Sequence, residues 1–334
     1  MAAAPAQKVY ILILNWNNAK DTVDCLEAVF KSDYPDYAVV CLDNGSTDDS
    51  EEKIRQWASG AGLKWVGYSR EQARRGGQPQ EETRTRLIFI SNGENLGYAG
   101  GNNIGLEFAL ARGDMRYAWV LNNDTLPEAG ALRSLVSCCR ETGVGMAGAK
   151  LLYTYDPGVL QMAGGCRLSP LTGNASPVAG GRADDGKWDA PFDLDSVCGA
   201  SVLLKKEVLE AVGAFDERYF LYWEDADWSM RARRAGFRLV YCPAARVLHK
   251  EGGTLGGAGN ARADYYWVRN GLYFARKFYP GLLPLVPFSY MAKYTVIRMF
   301  RRWPLNLPAF FSGLLDFLRG RMGRRAWERT QEGK

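Results

Sequence analysis

Residues 9–14 form an unbroken apolar run, the pattern of a strand buried on both faces. Asn15-Trp16-Asn17-Asn18 interrupts it, and residues 21–30 then repeat their apolar positions at helical spacing. Residues 37–42 predict a second buried strand, ending at the turn sequence Asp43-Asn44-Gly45-Ser46. Thr47-Asp48-Asp49-Ser50 offers an N-cap and an acidic first turn to a helix reaching Trp57. Residues 63–68 and 87–90 predict two further strands. The polar, charged stretch 69–86 between them is expected to be a mobile surface insertion.

Residues 92–103 lead into a helix ending near Ala111, and an apolar strand then runs from Trp119 to Asn122-Asn123-Asp124. A helix is expected from Pro127, since proline suits a first helical turn. Residues 164–195 are rich in glycine and proline and carry no clear period. Residues 197–204 predict a strand, 206–212 a short helix, 223–235 an amphipathic helix, and 238–242 and 246–249 two closing strands. Residues 252–259 contain five glycines and predict a flexible loop; residues 265–279 predict a helix. Strands alternating with helices imply an α/β fold, a mostly parallel sheet with helices on both faces.

At 334 residues the chain can bury a sizeable core, and 47% hydrophobic with 24% charged residues is an ordinary globular composition. The net charge of +5 hides an asymmetry: residues 265–334 carry thirteen Lys and Arg against three Asp and Glu, leaving −5 for the rest. A basic, aromatic tail on a mildly acidic body suits an anionic partner, a lipid surface or nucleic acid. The seven cysteines form no C-x-x-C pair and predict reduced, packed thiols in a cytoplasmic protein. Residues 1–8 lack the apolar core of a signal peptide, and no run approaches the ~18–20 apolar residues of a spanning helix.

The candidate chemistry sits at strand ends. Asp43 could accept hydrogen bonds from a base or ribose, or cap the helix that follows. Gly97, Gly100 and Gly101 open a helix and would let backbone approach a phosphate; the spacing is not the dinucleotide fingerprint, and a plain glycine-rich turn fits as well. Asp124 suits Mg²⁺ or Mn²⁺ when phosphate oxygens complete the shell, or a helix cap. Glu224, Asp225 and Asp227 fall in the first turns of a helix, where capping explains one or two of them. Asp227 and Arg231 are spaced i,i+4 and are expected to pair, which makes Asp227 structural. Partial burial would raise a remaining carboxylate and make it a better base. His249, the only histidine, ends a strand before the glycine-rich loop; it is a structural residue or the nitrogen of a mixed O/N metal site.

Together these segments resemble the glycosyltransferase family 2 enzymes of the GT-A fold, in particular a rhamnosyltransferase and galactofuranosyltransferase-like branch. The matching residues are Leu14-Asn15-Trp16-Asn17, Leu42-Asp43-Asn44-Gly45-Ser46, Asn95-Leu96-Gly97-Tyr98-Ala99-Gly100-Gly101-Asn102-Asn103, Leu121-Asn122-Asn123-Asp124-Thr125 and Trp223-Glu224-Asp225-Ala226-Asp227, with Val247-Leu248-His249 and Arg269-Asn270. The resemblance implies that Asn15, Trp16, Asn17 and Asp43 hold the donor nucleoside. It implies that Asn95, Gly97, Asn102, Asn123 and Glu224 line the nucleotide sugar. It makes Asp124 and His249 the ligands of Mg²⁺ or Mn²⁺ and Asp225 the catalytic base. Asn122 stands where many relatives have the first Asp of the metal motif, so the metal would rest more on Asp124, His249 and the diphosphate. A catalytic domain over 1–264 follows, with a nucleotide-binding half (1–125) and an acceptor-binding half (126–264). The implied activity is inverting transfer, with dTDP-rhamnose the leading donor and UDP-galactofuranose or another UDP-hexose the alternative. A nucleotidyltransferase would share the sheet but needs a basic glycine-rich loop after its first strand, which Asn15-Trp16-Asn17-Asn18 does not supply. A silent nucleotide-sugar-binding module is the third reading.

In the tail, 265–334, prolines and charges break every apolar run. Apolar and aromatic residues beside many arginines suit a helix lying in an anionic membrane interface, peripheral at the inner face; a homodimer arm is the alternative. With such a tail, a saccharide or polyprenyl-linked saccharide is the expected acceptor, and no nucleic-acid partner is expected.

Overall fold

A computed structural model describes residues 7–78, 86–250, 260–301 and 305–325. The glycine-rich stretch 252–259 and residues 79–85 of the expected insertion lie outside these residues. Among the described residues, ten strands form one mixed sheet. β1 (Val9–Asn15) is flanked by β2 (Tyr37–Asp43) on one side and β5 (Tyr117–Asn122) on the other, both parallel to it. β4 (Leu87–Ser91) and β3 (Trp65–Ser69) continue the parallel run beyond β2. On the far side come β12 (Ser201–Lys205), antiparallel to both its neighbours, then β7 (Val144–Tyr153), β13 (Arg238–His249) parallel to β7, and the antiparallel edge strand β6 (Thr125–Pro127). β8 (Leu160–Ala163) pairs antiparallel with β7.

Alternation along the strands builds two cores. Val9, Ile11, Ile13, Val39, Cys41, Trp119 and Leu121 pack with Leu26 and Val29 of α1 (Ala19–Val29), Ile54 of α2 (Ser50–Gly60) and Leu135 of α5 (Ala131–Cys139). Tyr10, Leu12, Val40, Leu42 and Val120 face the opposite layer, with Phe108 of α4 (Gly97–Ala111), Val208 of α6 (Lys206–Val212) and Trp228 of α7 (Glu224–Arg234). Burial on both faces is what continuous apolar strands demand. The result is the GT-A architecture anticipated above. α8 (Ala261–Phe278), α9 (Val286–Arg301) and α10 (Leu307–Leu318) form a helical unit with its own core against Tyr219, Trp223 and Ala226.

Four local expectations are corrected. The stretch after residue 69 is not uniformly loop: α3 (Arg70–Arg74) forms there because Ser69 and Gln72 cap each other reciprocally, and Ala73 is buried. Pro127 ends strand β6 rather than starting a helix, since residues 125–127 pair with the end of β13; α5 starts at Ala131. Residues 164–195 are partly ordered strand: β9 (Gly165–Ser169) and β10 (Asn174–Pro177) join β11 (Ser196–Val197) in a small antiparallel sheet. The chain then leaves that sheet for the main one, splitting the expected 197–204 strand. The two closing strands are one, β13, whose pairing shifts register between Cys242 and Arg246, where Pro243 offers no amide hydrogen.

Candidate active site at the carboxyl edge of the sheet

β1, β2 and β5 end level with one another: Asn15 faces Asp43, and Leu14 faces Asn122. Chain order reverses about β1, so this edge is the switch-point crevice of an open α/β sheet. A hydrogen-bonded chain of side chains runs along it. Asn15 Nδ2 donates to Asp43 Oδ1 at 2.9 Å, and Ser46 Oγ donates to the same oxygen at 2.6 Å. Thr22 Oγ1 donates to Asn15 Oδ1 at 2.7 Å and accepts from Asn123 Nδ2 at 2.9 Å. Asn15, Asp43 and Asn123 are therefore held in one buried network rather than in isolated turns.

Asn17 adopts a left-handed backbone (φ 51°) and exchanges hydrogen bonds with the Ser46-Thr47 turn. Trp16 beside it lies under the Arg262 guanidinium, 5.3 Å from its ring, and its buried indole nitrogen has no hydrogen-bond partner among the described residues. Around the start of α4, the Asn95 side-chain oxygen accepts from the Gly97 amide at 2.9 Å and from Asn44. Gly97 has φ +75°, and a Cβ there would run into the Phe220 carbonyl, so glycine is required for the 220 loop to approach. Asn102 donates to the Tyr98 carbonyl at 3.0 Å, while its own side-chain oxygen is buried and has no partner among the described residues.

Asp124 and His249 are 125 residues apart in the chain but adjacent in space. The β6–β13 ladder sets His249 opposite Thr125, and the Lys250 amide donates to the Asp124 carbonyl at 3.0 Å. Lys250 also ties the strand end to α1 through Asp21 and Asp24. His249 Nε2 lies 3.1 Å from Asp124 Oδ1, and its Nδ1 lies 2.6 Å from Gln161 Oε1 on β8. With Nδ1–H donating to Gln161, Nε2 faces Asp124 as a lone pair, the tautomer a metal ligand needs. Two donors bound at right angles to one ion at about 2.1 Å would be about 3.0 Å apart, so this pair fits a shared cation. One carboxylate oxygen and one imidazole suit Mg²⁺ or Mn²⁺ with diphosphate and water completing the shell.

Three acids follow from the start of α7. Asp227 is structural as expected: it pairs with Arg231 at 2.6 Å and Lys277 at 2.5 Å and accepts from the Tyr219 hydroxyl. Asp225 accepts from the Gly199 amide at 3.1 Å and the Ala226 amide at 2.7 Å, and burial raises its carboxyl above the usual range. Glu224 is buried with Oε2 unpaired among the described residues, and burial, then the charge of Asp225, raise it well above the usual range. Tyr98 binds these parts together: its hydroxyl donates to the Gly199 carbonyl at 2.7 Å. Burial, then the charges of Glu224, Asp225, Cys198 and Asp124, hold its phenol well above the ordinary tyrosine range. Tyr98 thus lies within electrostatic reach of Asp124, Glu224 and Asp225.

Gln161, Tyr98 and Gly199 were not singled out by their roles in the sequence. A lone Gln inside the apolar run Val159-Leu160-Gln161-Met162-Ala163 was the available signal for the first. Gly199 acts through its backbone, which leaves no trace in residue type.

The family described as Glycosyltransferase like family 2 matches residues 5–263. The low-salt glycan biosynthesis hexosyltransferase Agl10 of Haloferax volcanii is 23% identical over 250 residues, covering 72% of this chain and 66% of that protein. The N-acetylglucosaminyl-diphospho-decaprenol L-rhamnosyltransferase of Mycobacterium tuberculosis is 43% identical over 58 residues, 17% of this chain and 19% of its own. The chain therefore spans just under two thirds of the first relative and about a fifth of the second. Among solved structures, the mannosyltransferase PcManGT from Pyrobaculum calidifontis, in complex with GDP-Man and Mn²⁺, has a TM-score of 0.57 at 16% identity, over 93% of this chain and 86% of that one. At that identity the likeness is one of fold.

Proposed function

From the premise that this chain belongs to the glycosyltransferase-like family 2, we propose that it transfers a sugar from a nucleotide donor to a saccharide hydroxyl with inversion, in glycan synthesis. The observation that carries the reading is the 3.1 Å approach of Asp124 Oδ1 and His249 Nε2. The donor nucleoside lies along the Asn15, Trp16, Asn17 and Asp43 edge. Asn95, Gly97, Asn102 and Asn123 line ribose and diphosphate near the positive end of α4, and Glu224 lines the sugar. Residues 1–125 are the donor half and 126–264 the acceptor half of the catalytic domain.

Asp124 and His249 would hold Mg²⁺ or Mn²⁺, which when bound supplies a counter-charge for the departing nucleoside diphosphate. Asp225 takes the proton from the acceptor hydroxyl. The oxygen attacks the anomeric carbon as the bond to the diphosphate oxygen breaks, and a single displacement inverts that carbon. The raised Asp225 carboxyl makes a stronger base than an exposed aspartate, while the Gly199 and Ala226 amides fix its oxygens.

The rhamnosyltransferase relative supports a rhamnosyl donor, dTDP-rhamnose by the resemblance above, and a polyprenyl-linked saccharide as acceptor; UDP-galactofuranose or another UDP-hexose is the alternative. The tail supports a membrane-surface site. On α9 the buried stripe Val286, Tyr290, Tyr294, Arg298 is backed by an apolar outer stripe of Phe288, Ala292, Val296 and Phe300. Phe300 is 87% exposed, and Phe311 and Leu318 extend the surface along α10. No helix among the described residues is long and apolar enough to cross a membrane. Apolar outer faces next to exposed Arg319 and Arg321 suit a helix pair lying in an anionic leaflet at the cytoplasmic face, the occupant we favour over a second copy.

The test is metal-dependent diphosphate release from a panel of nucleotide sugars with a lipid-linked acceptor. One donor should turn over, and Asp225→Asn should bind that donor normally while losing most turnover. No release from any donor, or normal turnover in Asp225→Asn, would overturn the reading.

A further inference from the structure

The segment that delivers Glu224 and Asp225 is conformationally costly. Phe220, Tyr222 and Trp223 have φ of 60°, 65° and 75°, a left-handed region that bulky side chains rarely occupy. Such a backbone persists only when its surroundings over-determine it, and here every peptide carbonyl from 219 to 222 is gripped from outside the loop. The Phe220 carbonyl accepts from the Tyr98 amide at 2.7 Å, an approach that Gly97 alone permits. The other three converge on one side chain of α8. Asn270 Nδ2 lies 2.6 Å from the Tyr219 carbonyl, 2.6 Å from that of Leu221 and 3.1 Å from that of Tyr222.

Asn270 is itself fixed. It is fully buried, and its Oδ1 accepts from Arg269 Nε at 2.9 Å. Arg269, also buried, lies 4.8 Å from the Tyr266 ring and donates to the Tyr219 and Gly323 carbonyls at 3.3 and 2.7 Å. The Gly323 amide returns to the Arg218 carbonyl at 2.8 Å, so the segment after α10 closes onto the residues preceding the loop. An asparagine buried in an amphipathic helix normally costs stability. This one is spent on three carbonyls that the left-handed turn leaves without helical or strand partners.

We propose that Asn270 is a positioning residue for transfer: it holds the 219–223 turn in its left-handed form and thereby aims the carboxylates of Glu224 and Asp225 into the cleft. The proposal rests on the assignment of Asp225 as base and adds that the helical tail unit is needed to present it. Asn270 lies behind the loop and takes no part in holding the nucleotide.

The experiment compares the full chain with Asn270→Ala and with Asn270→Ser, which keeps one donor, and runs Asp225→Asn beside them. Hydrogen exchange of the peptide spanning 219–227, nucleoside diphosphate affinity with Mn²⁺ present, and kcat and KM for the donor are measured. Asn270→Ala should speed exchange in that peptide and lower kcat by roughly 10²-fold, the cost of misplacing a reacting group by about an ångström. Nucleoside diphosphate affinity should stay within about twofold of the full chain while the donor KM rises with the displaced Glu224, and Asn270→Ser should fall between the two in kcat. Unchanged exchange and kcat in both variants, beside an inert Asp225→Asn, would overturn the clamp and leave the base. A loosened peptide with Asp225→Asn still active would reject the base and keep the clamp as a device for shaping the loop. Loss of nucleotide affinity in step with kcat would overturn positioning in favour of general unfolding.

Discussion

Gln161→Leu is the substitution whose outcome the site geometry specifies most closely. The side chains are similar in volume, so the change removes the acceptor 2.6 Å from His249 Nδ1 and little else. Both partners are buried, and a buried N–H left without an acceptor costs about 1–3 kcal/mol. That cost should appear as a lowered Tm, by about 1–2 °C per kcal/mol for a chain of this size. The second effect separates a metal ligand from a structural histidine. Without Gln161 the ring can rotate or move its proton to Nε2, the atom facing Asp124. Loss of such an outer partner typically weakens a metal about 10–100-fold, or about 1.4–2.8 kcal/mol at 1.4 kcal/mol per tenfold. Calorimetric titration of Mn²⁺ at saturating nucleoside diphosphate reads this directly. Gln161→Glu keeps an acceptor and should hold the affinity near that of the unaltered protein. A lower Tm with Mn²⁺ affinity unchanged in Gln161→Leu would refute the reasoning and return His249 to a purely structural role.

The remaining predictions concern charge and the tail. Glu224 has its folded pKa raised by burial, so the folded state holds the proton longer than the unfolded one. Its contribution to stability is thus lost as pH rises from the ordinary glutamate range through the raised folded value. Glu224→Gln should therefore gain Tm relative to the unaltered protein with rising pH over that interval, and a gap independent of pH would contradict it. By the same sign, Asp225 must be ionised to accept a proton, so the acid limb of kcat should lie above the ordinary aspartate range; a rate constant down to that range would contradict a raised base. Phe300→Asp with Phe311→Asp changes two exposed side chains and should alter stability by less than about 1 kcal/mol. It should abolish flotation with anionic vesicles; flotation unaffected by the pair would remove α9 and α10 from the membrane account.

The parallel half of the sheet was legible because residues 9–14, 37–42 and 87–90 are buried on both faces and so read as plain apolar runs. The far half was harder, because there the chain alternates between two sheets and identity depends on distant partners. Thr125 to Pro127 become strand only because residues 247–249 lie beside them, a long-range pairing that overrides the helix-start signal of Pro127. Ser69 to Arg74 was misread for the opposite reason: a strictly local capping box was outweighed by the polarity of the stretch around it. In the site, acidic and histidine side chains stood out by type. What holds them did not, since Gly199 works through its amide and Gln161 and Asn270 are ordinary polar residues until the fold reveals what they face. The left-handed turn over 220–223 is least legible of all. Nothing in Phe220-Leu221-Tyr222-Trp223 announces positive φ, because the conformation is imposed by Tyr98 and Asn270 from outside.

The most direct measurement is anomalous scattering from crystals grown with Mn²⁺ and the nucleoside diphosphate of the donor that turns over. A single peak about 2.1 Å from both Asp124 Oδ1 and His249 Nε2, with the diphosphate on its open side facing Asp225, is the predicted result. Diphosphate seated at the carboxyl edge of the sheet with manganese absent from between those two atoms, or bound elsewhere, would contradict the account.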